Sequence, residues 1–91
     1  MGRALAPAFG AEPLPLRRRA VMRALQLMLG RDARVETASV EAVLAAFDDE
    51  AGGKPRSGYV ANIQGDLAVS ANKRGVRIEP MSAYRARRKR G

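Results

Sequence analysis

The sequence predicts a mainly α domain with a small β element: three helices, one short strand and a flexible basic C-terminal tail. Three observations carry that expectation. Apolar residues recur at helical spacing in two stretches, Val21, Ala24, Leu25 and Met28, then Val40, Val43, Leu44 and Phe47. Glycine closes each stretch, Gly30 the first and Gly52-Gly53 the second. A third stretch, Ser57 to Arg74, sets Val60, Ile63, Leu67 and Ala71 on one helical stripe.

In chain order, residues 1–14 read as a flexible leader, because Pro7, Pro13 and Pro15 interrupt regular structure. The first helix follows, with Pro15 in its first turn, where a missing N–H costs nothing. Arg17, Arg18 and Arg19 stand in that turn against the helix dipole, which calls either for an anionic partner there or, as the favoured reading, for solvation. "ARVET" reads as a short extended segment centred on Val35. Ser39 is the expected N-cap of the second helix, which carries Phe47 on its apolar face and runs on to Gly52-Gly53. "GGKPRSG" is a turn, since Pro55 forbids helix at Lys54.

The stretch after Ser57 has two readings. One is a long helix capped by Ser57 and closed by Gly75, followed by the strand "VRIE". The other ends a short helix near Gly65 and makes "LAVSA" and "VRIEP" a hairpin joined by "NKRG". The long helix is favoured, although Gly65 weakens it by about 1 kcal/mol relative to Ala. The domain thus spans residues 15–80, and residues 81–91 form the basic tail, expected to be disordered when free.

Composition restricts function. The 91 residues suffice for one domain, and 17 of the hydrophobic residues are alanine, so the core is thin and a homodimer would extend it. There is no Cys and no His, which removes disulfides, thiolate and imidazole catalysis and the usual zinc ligands. Asp48, Asp49 and Glu50 crowd one helix end without the alternating oxygen ligands of a calcium loop. "GGKP" lacks the spacing of a phosphate loop. No enzyme activity, cofactor or metal is expected. No apolar run suggests a membrane span. The Arg-rich first 31 residues, with Glu12 their only acid, resemble an organellar presequence in composition, but a basic first helix behind a short leader is the favoured reading.

The formal net charge is +8 and is unevenly placed. Residues 1–30 hold five basic residues against one acid, residues 31–66 four against seven, and residues 67–91 eight against one. A polyanion would meet the C-terminal third first, in a salt-dependent way.

The order of elements resembles a winged helix-turn-helix, mainly in "ETASVEAVLAAF", "GGKPRSG" and "NKRGVRIE". The turn is long for that family, and Asp66 falls on the face that would meet a DNA groove. The resemblance implies a small DNA-binding transcription regulator of bacterial or phage type. It puts Ser57, Tyr59 and Asn62 nearest the base edges and Arg56, Lys73, Arg74 and Arg77 on phosphates. Arg85, Arg87, Arg88, Lys89 and Arg90 of the tail would track the backbone or enter a minor groove. Duplex DNA is favoured over RNA as partner, with a cytoplasmic, nucleoid-associated location. The alternatives are an RNA-binding component of a ribonucleoprotein, or an interaction module whose acidic segment, Asp48 to Glu50, inhibits a nucleic-acid-handling protein.

Overall fold

Residues 2–89 are described by a computed structural model. The elements run β1 (Arg3–Leu5), a 3-10 turn (Pro7–Ala11), α1 (Leu14–Leu29), α2 (Thr37–Leu44), β2 (Phe47–Asp48), a 3-10 turn (Asp49–Ala51) and β3 (Lys54–Pro55). β4 (Val60–Ile63), a 3-10 turn (Gln64–Asp66), β5 (Leu67–Asn72), β6 (Gly75–Pro80) and α3 (Met81–Lys89) complete the order. A four-stranded antiparallel sheet, in the order β1-β6-β5-β4, forms the middle layer, and β2 and β3 make a small separate ribbon.

The architecture is therefore mixed α/β, which corrects the mainly α, three-helix expectation. Ser57 to Arg74 holds no α-helix: β4 pairs with β5 through Val60↔Ser70 and Ile63↔Leu67, and β5 with β6 through Ser70↔Arg77 and Asn72↔Gly75. Gly65 is the residue that decides this. Its φ is 72° and that of Asp66 is 57°, left-handed values that reverse the chain and end any right-handed helix. A Cβ at Gly65 would also push the tip of the Leu29 side chain aside, but the positive φ is what favours glycine here. The hairpin reading was right about β5 and β6, but its short helix is strand β4.

Strand alternation sorts the side chains. Leu67, Val69 and Ala71 of β5 and Val76 and Ile78 of β6 face the helices and join Val21, Leu25, Val40, Val43, Leu44 and Phe47 in one core. α1 forms as its apolar stripe predicts, with Val21 and Leu25 fully buried. It ends at Gly30, whose φ of 109° and ψ of 158° are open to glycine but are not the left-handed helical cap expected. α2 starts at Thr37 and stops at Leu44. Ser39 is not its cap: the hydroxyl is buried inside the helix and accepts the Gln64 N–H at 3.2 Å. Phe47 belongs to β2. The "ARVET" segment is not a strand. Gln64 holds it instead, donating to the Arg34 carbonyl at 2.8 Å and accepting the Glu36 N–H at 2.5 Å.

The leader is structural. β1 pairs with β6 through Arg3↔Ile78 and Leu5↔Val76. Phe9 packs on Phe47 with ring centroids 5.5 Å apart. Gly10 and Gly53 touch so closely that a Cβ on either would overlap the other's carbonyl oxygen. Arg17, expected in solvent, is only 6% exposed. Its Nε donates to the Glu12 carbonyl at 2.8 Å, and Nη1 lies 3.2 Å from Asp49 Oδ1 without the alignment of a hydrogen bond.

The basic tail is also ordered. Met81 to Lys89 is helix α3, which folds over the sheet face opposite α1 and α2 and leaves Ala68 at 0% and Glu79 at 5% exposure. The flexible-tail expectation is thereby corrected. "MSAYRARRK" consists mostly of good helix formers, and its last turn carries Arg87, Arg88 and Lys89, which suit the C-terminal end of the dipole.

Candidate nucleic-acid interface

The sheet face that bears α3 is where cations converge. On β5, alternation turns Ser70 and Asn72 to this face, and on β6 it turns Arg77, which sits opposite both Ser70 and Ala4 of β1. The connection between the strands is the two residues Lys73 and Arg74. Asn72 Oδ1 accepts the Arg74 N–H at 2.7 Å, and Gly75 at φ 137° lets the chain turn back. α3 then brings Arg87 over the same face.

The result is a shallow concavity of about 220 Å³ lined by Arg74, Arg77 and Arg87, with Ser70 and Asn72 as hydroxyl and amide. Glu79 is the acid beside it, and Arg87 occupies it: Nη2 donates to Glu79 Oε2 at 2.5 Å and Nε reaches Oε1 at 3.4 Å. This hydrogen-bonded fork pushes the Arg87 pKa up, against the opposing effect of burial. Glu79 is nearly inaccessible while Arg87 is half exposed, so the pair neutralises a buried carboxylate and still leaves one edge of the guanidinium outward. Arg87 and Arg88 lie 5.6 and 5.8 Å from the Tyr84 ring centroid, and Arg88 Nη1 donates to the Tyr84 hydroxyl at 3.3 Å. Arg85, Arg88 and Lys89 are exposed along α3.

The site residues expected from sequence separate into two groups. Lys73, Arg74, Arg77, Arg85, Arg87, Arg88 and Lys89 belong to the β5–β6 turn, β6 and α3. Arg90 lies outside the described residues. Asn62 is exposed on β4, opposite Ala68 in register and so on the same sheet face, but it does not line the concavity. Arg56 and Tyr59 do structural work elsewhere. Arg56 donates from Nε to the Ala45 carbonyl at 2.9 Å and lies 3.6 Å from Asp48. Tyr59 donates its hydroxyl to the Ala42 carbonyl at 2.6 Å, and burial raises its pKa despite the nearby Arg56 charge. Ser57 is exposed in the turn before β4. With no recognition helix, Ser57, Tyr59 and Asn62 lose the shared helical surface that was to carry them to base edges. Ser70 and Asn72 were missed. The period-two alternation of the hairpin reading was the signal that pairs Ser70 with Arg77.

Two members of the acidic run, Asp48 and Asp49, are also engaged. Asp48 caps the Glu50 N–H at 3.1 Å and pairs with Arg56, and Asp49 pairs with Arg17. Among the described residues no helix is long and apolar enough to cross a membrane. No family model, curated protein or solved structure matches the chain.

Proposed function

We propose that the protein binds nucleic acid through the phosphate backbone, duplex DNA ahead of RNA, on the sheet face shared by β5, β6 and α3. The observation that carries the reading is the convergence of Arg74, Arg77 and Arg87 around Ser70 and Asn72, beside an acid already neutralised by Arg87. Guanidinium forks match phosphate geometry, and hydroxyl and amide groups supply further phosphate contacts. The exposed Arg85, Arg88 and Lys89 extend the positive surface along α3. A duplex suits this surface better than a stacked single strand. Tyr84, the aromatic side chain of α3, is half buried and taken up by Arg87 and Arg88, so it is a poor stacking platform. Contacts of this kind fix position without reading sequence.

The test is fluorescence anisotropy of a labelled DNA duplex across a salt series, with structured RNA as competitor. Engagement of four or five phosphates predicts a log–log slope of about −4. Absence of binding in dilute buffer, or binding indifferent to salt, would refute the proposal. Preferential displacement by RNA would reassign the ligand while keeping the site.

A further inference from the structure

α1 carries more apolar surface than the core uses. Val21 and Leu25 face inward, yet Leu16, Ala20, Ala24 and Leu27 form a second stripe beside them, at i, i+4, i+8 and i+11. Leu16 is 53% exposed and Leu27 63%. This stripe is one wall of a groove, and edge strand β1 contributes the other. Two adjoining concavities of about 270 and 260 Å³ share Arg3 and Leu27, and the second reaches down to Met28, Leu67 and Pro80. Arg3, Arg19 and Arg23 line the first, no acid lines either, and none of the three forms an ion pair among the described residues.

We propose that this groove docks an acidic amphipathic helix of a protein partner, with apolar side chains on the Leu16–Leu27 wall and carboxylates against Arg3, Arg19 and Arg23. Charge complementarity selects the occupant: an apolar floor with three uncommitted guanidinium groups repels a basic helix and gains most from an acidic one. The wall from Leu16 to Leu27 is about 16 Å long at helical rise, which matches three turns of a docked helix. A nucleic acid gains nothing from the leucines. A second copy is disfavoured because two-fold docking of the same groove sets each Arg cluster against its own image. The chain's own acids Asp48 and Asp49 are already paired with Arg56 and Arg17. A flat bilayer cannot reach a floor formed by Met28 and the buried Leu67.

A displayed library of helical 16-residue peptides, selected against the full chain, tests this directly. Enriched peptides should carry an apolar stripe flanked by Asp and Glu. Their affinity should fall at least tenfold with Leu27→Asp and with Arg19→Glu/Arg23→Glu, while duplex binding by Leu27→Asp keeps its salt slope. Leu27 and the two arginines are exposed, and circular dichroism melts confirm that each variant folds; if one does not, the other decides. No enrichment, enrichment of basic peptides, or binding that survives both variants overturns the proposal. So does recruitment to phosphatidylglycerol vesicles, lost in Leu27→Asp, without any peptide selected.

Discussion

The two faces of the central sheet are built from the same strands and do different jobs. On the inner face, Val69 and Ile78 are completely buried against α1 and α2. On the outer face one register step away, Ser70 sits opposite Arg77, and only the Ala68–Glu79 end is covered by α3. Because side chains alternate, adjacent residues of β6 belong to different physical problems. Ile78 holds the fold together, Arg77 is exposed on the proposed binding face, and Glu79 is buried under α3. Stability and binding should therefore separate by residue parity along one strand.

The largest expected effect is on the inner face. Ile78→Ala should destabilise by about 2–4 kcal/mol, enough to unfold much of a thin-cored domain, in urea denaturation. Next is the covered end of the outer face, where the two properties couple. Arg87→Ala strands the buried Glu79 carboxylate. It should lower stability by about 2 kcal/mol, below the range for fully buried pairs because Arg87 is half exposed, and it should weaken duplex binding as well. Glu79→Gln should instead free Arg87 and tighten duplex binding by removing the one buried negative charge. Equal behaviour of the two variants would break the proposed coupling.

Tyr59→Phe is smaller, at about 1 kcal/mol for the lost hydrogen bond to Ala42. It also has a pH signature. Burial holds the folded-state pKa of Tyr59 above the ordinary 10.0, so the stabilisation it confers is complete below pH 10 and is lost as pH climbs through the raised value. The phenylalanine variant should lack that alkaline loss in pH-dependent melts. Smallest in stability is Arg77→Ala, within about 0.5 kcal/mol of the parent, yet it should make the salt slope of duplex binding shallower by about 1.

Local patterns in the sequence show some of this design. The stripe Val21, Ala24, Leu25 and Met28, bounded by Pro15 and Gly30, predicts a helix, and α1 follows it with Val21 and Leu25 in the core. Val40, Val43 and Leu44 likewise reach the core. The stretch after Ser57 is ambiguous for a physical reason. Val60, Ile63, Leu67 and Ala71 fit a helical stripe, while the same residues fit strands on either side of a reversal at Gly65. The left-handed reversal at Gly65 and Asp66, with the pairing of neighbouring strands across it, resolves it. The pairing of Arg3–Leu5 with Val76–Ile78 is non-local and leaves no trace in the leader's own composition. The tail's charge and its run of helix formers are legible, but its docking on the sheet is not, because that rests on the burial of Met81 and on Arg87 at a buried Glu79. Of the expected contacts, Arg74, Arg77 and Arg87 line one concavity, whereas Arg56 and Tyr59 serve backbone carbonyls that no sequence pattern reveals.

The most direct test of the central claim is a two-dimensional amide NMR titration of the chain with a short DNA duplex at low salt. Shift changes concentrated at Ser70, Asn72 to Arg74, Arg77 and along α3, with Arg56 to Tyr59 and the Leu16–Leu27 wall unmoved, are the predicted result. Changes centred on Arg56 to Tyr59 or on α1, or none at saturating duplex, would contradict it.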